Sequence, residues 1–245
     1  MVIQTQSSNR QPGFTLIEML AVIAIIGIIL AAGLPAVMSL MRSGGVSAAT
    51  REVSNTLNLA RQYAITQRTN TRVIFAYNDN SADTLATENL WYIGYTVVAS
   101  NRDVSGPQAW QYIGKWEFLP PGAVFLAADT MTGGNAPNIA GWNLDLETGA
   151  GIVTNWLNHA SIPYPNTNSP NLVSFACMEF TPTGALLPFT GSRGASSLTI
   201  SAGFMMPDQN NNQYPTPFRP PNSVSNYVNI SADFLIGRIR VTQPQ

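Results

Sequence analysis

The chain has 245 residues, with 13 acidic against 12 basic side chains and a net charge of −1. That length holds one ordinary core with a membrane segment besides, and the charge balance excludes wholesale coating of nucleic acid while leaving room for a local basic patch. Only 10% of residues are charged; Asn, Thr, Ser, Gly and Pro fill the gap, a composition suited to short strands joined by many turns.

Residues 1–13 are polar, with Arg10 as the one charged side chain. Phe14-Thr-Leu-Ile-Glu-Met-Leu20 follows and opens an apolar stretch to Leu34, uncharged from Met19 onward. About 20 apolar residues span a bilayer as a helix, whose backbone is satisfied internally. A secretory signal places its cleavage site after the apolar region. Here the candidate cut, Gly13, precedes it, so the helix stays on the mature chain. Glu18 is the anomaly, because a carboxylate at membrane depth costs roughly 2.5–3.5 kcal/mol and wants a partner. Pro35 removes a helical hydrogen bond near the end of the run, and a helix break is expected there. Arg10 before the helix and Arg42 after it leave the charge rule for orientation nearly balanced.

Gly44-Gly45 reads as punctuation, and a second helix is expected over about 46–68. Val46, Ala49, Val53, Leu57, Ala60 and Ala64 recur at spacings of three and four, one narrow stripe to lie against a sheet. Arg51, Glu52, Asn55, Gln62 and Arg68 fall on the other face. From Arg42 to Arg72 five arginines stand against one glutamate, a local balance of +4. It reads either as a solvated face or as a contact for phosphates of DNA or lipid headgroups.

The period then changes to that of strands, at 71–77, 90–98, 111–118, 172–180, 197–201, 227–231 and 234–241. Pro120-Pro121-Gly122, Thr181-Pro-Thr-Gly184 and the run from Pro207 to Gln213 read as turns or loops. Residues 129–171, rich in Gly, Asn and Pro, read as an insertion. The expected fold is α+β: a long N-terminal hydrophobic helix, half membrane segment and half amphipathic, packed on an antiparallel sheet.

Little here points to catalysis. One cysteine, Cys177, sits in an apolar run and reads as a buried structural thiol. One histidine, His159, has no second histidine or cysteine cluster for a metal and no nucleophile elbow for a triad. Asn78-Asp-Asn-Ser-Ala-Asp83 is rich in oxygen but lacks the full calcium-loop pattern and reads as a polar turn. No cofactor, no metal and no enzymatic activity is expected.

Gly13 followed by Phe14-Thr-Leu-Ile-Glu18 resembles the processing site of type IV prepilins and type II secretion pseudopilins. The resemblance implies a leader, 1–13, cut after Gly13 by a prepilin peptidase that also N-methylates Phe14. It implies a transmembrane and filament-core helix, 14–41, and an extracytoplasmic globular domain, 42–245, that begins with the amphipathic helix. Glu18 becomes the fifth mature residue, which in that family pairs with a neighbour's N-terminal amine during assembly; an ammonium and a carboxylate neutralise each other where neither is comfortable alone. The helix-melting proline of that family corresponds to Pro35. Leu57-Asn-Leu-Ala-Arg-Gln-Tyr-Ala64 with the basic stretch to Val73, Phe180-Thr-Pro-Thr-Gly184, and Phe234-Leu-Ile-Gly-Arg-Ile-Arg-Val241 resemble segments of the GspH/FimT group of minor subunits. The implied location is the bacterial inner membrane, single-pass with the domain in the periplasm, and then the filament. The implied partners are other pilin or pseudopilin subunits, the peptidase and membrane lipid. Two roles follow: a structural minor subunit of a secretion or pilus filament, or a pilin that binds DNA during uptake through Arg238 and Arg240, helped by Arg219 or Arg193. Two arginines separated by one residue on a strand share a face about 6.5–7 Å apart, close to the phosphate repeat.

Overall fold

The computed structural model describes residues 16–77, 90–101, 105–106, 109–126, 157–187, 196–207, 213–217 and 227–243, and of 31–43, 206–207 and 213–217 only the backbone. The chain contacts divide into two units, Met1–Leu40 and Met41–Gln245. The single helix among the described residues, α1, is Leu16–Gln67.

In the first unit, the described side chains of α1 run from Leu16 to Leu30, and all are exposed. Leu16, Leu20 and Ile28 are 91%, 69% and 70% exposed. An amphipathic helix would show a covered stripe and a bare one. This segment is apolar on every side, the pattern of a helix meant to be surrounded. The helical backbone continues through Pro35 and Gly44-Gly45. This corrects the break expected at Pro35, the punctuation expected at the glycines, and the division into two helices. A proline deletes one link of the helical ladder, and the links on either side can persist. Gly45 has a different use: it is buried, and a Cβ there would lie 2.8 Å from the Pro121 carbonyl oxygen. The helix passes so close to the Pro121-Gly122 turn that a side chain has no room.

The second unit holds two sheets. The strands are β1 (Thr71–Phe75), β2 (Gly94–Ser100), β3 (Trp110–Tyr112), β4 (Glu117–Phe118), β5 (Ala123–Phe125), β6 (Asn158–Pro163), β7 (Leu172–Phe180), β8 (Ser196–Pro207), β9 (Gln213–Pro217), β10 (Tyr227–Ala232) and β11 (Ile239–Thr242). One sheet has the order β3-β2-β1-β7-β6, with β4 also on β2; the other has β11-β10-β8-β5, with β9 also on β8. Every strand pairing among the described residues is antiparallel. The architecture is α+β.

Two hydrophobic clusters fill this unit. Val46, Ala49, Val53, Leu57, Ala60 and Ala64, the stripe read from the sequence, all join the larger one. They share it with Val73 and Phe75 of β1, Met178 and Phe180 of β7, Leu198 and Ile200 of β8, and Val228 and Ile230 of β10. The small residues of the stripe let the helix approach closely, and Leu57, fully buried, supplies roughly 1.5–3 kcal/mol by its removal from water. The alternate residues of the first sheet, Ile74, Val98, Phe175 and Cys177 among them, face the other way into the second cluster. Both faces of that sheet are therefore covered, which is why β1 and β7 read as continuous apolar runs rather than as alternating ones.

Three sequence expectations about strands need correction. Leu90–Ile93 is a turn rather than the start of a strand: Tyr92 has φ +57° and the Ile93 amide donates to the Leu90 carbonyl at 3.1 Å. The strand expected at 111–118 is two short ones, β3 and β4, separated by Ile113–Trp116. The strand expected at 234–241 begins only at Ile239. Strands β5, β6 and β9 were not anticipated, and β8 extends well beyond the expected 197–201. The oxygen-rich turn at 78–83 and most of the stretch read as an insertion lie outside the described residues.

Candidate functional site

Two places on the chain carry the residues singled out from the sequence. The first is the start of α1. Glu18 stands in the first helical turn with an exposed side chain, among Leu16, Ile17, Met19 and Leu20, all of them half exposed or more. A carboxylate in a first turn is favourably placed relative to the helix dipole. Gly13 and Phe14 lie outside the described residues, and so does the start of the expected membrane span. Among the described residues no helix is long and apolar enough to cross a membrane.

The second place is where α1 meets the C-terminal hairpin, within the second unit. Arg61 lies next to the buried stripe, one position past Ala60, so its stem is half covered and its head reaches sideways. Its Nε–H is shared between two carbonyls, donating to Gly184 at 3.0 Å and to Ile236 at 3.1 Å. Those two oxygens belong to separate loops. Gly184 ends the Thr181-Pro-Thr turn after β7, where the Gly184 amide donates to the Thr181 carbonyl and the Thr181 amide to that of Ala185. Ile236 belongs to the connection between β10 and β11.

That connection is tightly determined. The Asp233 carboxylate accepts from the amides of Leu235 and Ile236 at 2.9 and 3.3 Å. The Gly237 amide donates to the Asp233 carbonyl at 2.8 Å, and the Asp233 amide to that of Arg238 at 3.0 Å. Gly237 has φ +60°, and a Cβ there would collide with the Gly184 carbonyl oxygen. Glycine is required twice over, for the left-handed backbone and for the approach of two loops. The Leu186 amide adds a further link, donating to the Phe234 carbonyl at 3.1 Å. The three stretches quoted above for the GspH/FimT resemblance are thus brought together around one guanidinium.

Arg238 and Arg240 follow this turn, both exposed. Only Arg240 is on β11; Arg238 precedes the strand. The geometry expected of two arginines on one continuous strand is therefore corrected, because the Asp233 turn and Gly237 occupy the chain up to Arg238. Arg193 and Arg219 lie outside the described residues. Sequence reasoning missed Arg61 as a structural pivot. Its signal was available: a cation adjoining a stripe of small buried residues, where a long side chain can reach past the helix.

The remaining candidates serve the fold. Cys177 is 1% exposed, and burial pushes its thiol up to about 12; Arg72 lowers it in part and Glu179 raises it further. Such a thiol is a poor nucleophile at neutral pH. His159 Nδ1 shares a hydrogen bond with the Tyr77 hydroxyl at 2.6 Å, tying β6 to the end of β1. Glu179, 5% exposed, is held by Arg72 Nε at 2.7 Å and by Asn70 Nδ2 at 2.8 Å, with the Arg72 guanidinium stacked 3.7 Å over Trp110. Among the described residues no group of three or more His, Cys, Asp or Glu is arranged to hold a metal ion.

With this geometry in hand, residues 8–34 match the family model described as the prokaryotic N-terminal methylation motif. The match supports a prepilin-type leader, the start of a precursor of the type IV pilin or pseudopilin kind. The matched segment covers Gly13, Phe14 and Glu18 and the whole exposed apolar stretch from Leu16 to Leu30. No curated protein and no solved structure matches the chain.

Proposed function

We propose that this chain is a minor subunit of a type II secretion or type IV pilus filament, with a structural role in assembly and secretion. Prepilin peptidase cuts after Gly13 and methylates Phe14. The segment 14–41 anchors the precursor in the inner membrane, with residues 42–245 in the periplasm, and later enters the filament core. One observation carries the reading: a methylation motif leads into the first stretch of α1, Leu16–Leu30, which is apolar on all sides and bears a single carboxylate, Glu18. Uncovered apolar surface of this extent calls for lipid or neighbouring helices, and a carboxylate in such surroundings calls for a cation. The new N-terminal amine of a neighbouring subunit supplies one.

The test uses two variants in the native host. Glu18→Ala should be trimmed normally and lost from the filament fraction, whereas Gly13→Glu should remain untrimmed. Full incorporation of Glu18→Ala removes the pairing, and a trimmed Gly13→Glu chain removes the cleavage site. A second reading, contact of Arg238 and Arg240 with nucleic-acid phosphates, is favoured by the exposure of both guanidiniums. Its mark is binding that weakens steeply with salt and is lost when both become alanine.

A further inference from the structure

Strand β11 ends its sheet. It pairs with β10 on one side, Ile239 opposite Ala232, Arg240 opposite Ser231, Val241 opposite Ile230 and Thr242 opposite Asn229, and no strand pairs with its other side among the described residues. In an antiparallel ladder every second residue turns its N–H and C=O away from its partner. Among the described residues the outer row of β11 is thus an open template for another strand.

We propose that β11 is the docking edge for an extended segment of another polypeptide, one in which apolar and acidic residues alternate. The two faces of the edge specify that alternation. Ile239 and Val241 stand opposite Ala232 and Ile230, which are buried, so they lie on the core side of the sheet. Ile239 packs against the main cluster, but Val241 is 47% exposed, with no described strand beyond it. An incoming strand with an apolar residue on this side would extend the core over Val241. Arg240 lies on the opposite face, exposed, across from Ser231. Among the described residues its guanidinium has no ion pair. A carboxylate on the next strand completes a cross-strand pair of opposite charge.

The same arginine argues against a second copy of β11 as the occupant, since two such edges would bring like charges together. The turn before the edge is held in place by Arg61, by Asp233 and by the close fit of Gly237 against Gly184. The edge is thus preorganised and little is spent on ordering it. Leu235 and Ile236, 68% and 52% exposed on that turn, extend the apolar surface at its end. This inference is independent of the filament reading; a subunit of any assembly could use such an edge.

The experiment uses the purified full chain in detergent micelles. The probe is a short fluorescent peptide in which valine and glutamate alternate. Three comparisons accompany it: the same peptide with alternate amides N-methylated, a peptide alternating valine and lysine, and a DNA duplex. The valine–glutamate peptide should bind, and N-methylation should abolish binding by removing the ladder donors. Arg240→Glu should weaken the valine–glutamate peptide about tenfold, from exchange of an attractive for a repulsive cross-strand pair, and should admit the valine–lysine peptide instead. That exchange of preference also shows that the variant is folded. Equal binding of the N-methylated peptide would leave only charge attraction and overturn the proposal. Absence of peptide binding overturns it as well, and binding of the duplex in the peptide's place would assign the edge to nucleic acid.

Discussion

Replacing the buried Gly237 by alanine should be among the most damaging single changes in the second unit. The backbone there has φ +60°, and an L-residue forced into the left-handed region costs about 1–2 kcal/mol. The added Cβ also collides with the Gly184 carbonyl oxygen and comes within 3.0 Å of Arg61 Nε. Something has to shift, and the neighbour in the way is backbone. Moving the two loops apart weakens the shared hydrogen bond from Arg61. A bond to a charged donor contributes about 1.5–3 kcal/mol when sheltered, and the partial exposure of Arg61 places this one at or below the lower limit. The expected loss is thus about 3 kcal/mol. Urea unfolding of the purified chain, followed by tryptophan fluorescence, measures it. Arg61→Lys provides the comparison: a lysine keeps the charge but cannot reproduce the planar donor at Nε, and it should lose about 1 kcal/mol without backbone strain. A Gly237→Ala chain within about 0.5 kcal/mol of the parent, below the cost of the backbone strain alone, would refute the close-contact argument.

Other substitutions probe the rest of the fold. Arg72→Ala leaves the buried Glu179 carboxylate without its ion pair and should destabilise by about 3 kcal/mol, measured by the same unfolding series; an unchanged midpoint would show that Asn70 and water suffice. Leu57→Ala opens a cavity in the main cluster and should cost about 2–5 kcal/mol, whereas exposed Leu59 should tolerate alanine within about 0.5 kcal/mol. Cys177 ionises at 9.0 when unfolded and at about 12 when folded, so its neutral thiol stabilises the fold fully below pH 9.0, and that contribution is lost as pH rises toward 12. Between those limits Cys177→Ala should show a shallower decline in stability than the parent, and an identical pH profile would contradict the burial of the thiol.

Some of this protein was legible in the residues alone. Periodicity placed the buried stripe of α1 at Val46, Ala49, Val53, Leu57, Ala60 and Ala64, because helical spacing and the need to bury one face leave few alternatives. Strand β7 was read at 172–180, where a long apolar run is bounded by turn residues on both sides. The methylation motif was legible because it is a linear string of residues, independent of the fold. The short or mixed strands were not. β5 has three residues and β6 mixes polar with apolar ones, so pairing with β8 and β7 rather than their own composition makes them strands.

What only the tertiary structure decided concerns contacts between segments far apart in sequence. That Gly45 serves a close approach and does not end a helix depends on the Pro121-Gly122 turn beneath it. That Phe234–Gly237 is a turn, although Phe234 and Ile236 are strand formers, depends on the Asp233 carboxylate, on the left-handed Gly237 and on the Arg61 hydrogen bond from α1. Local pattern records what a segment prefers by itself. Which oxygen a guanidinium finds across more than a hundred residues is settled only when packing has fixed where the carbonyls lie.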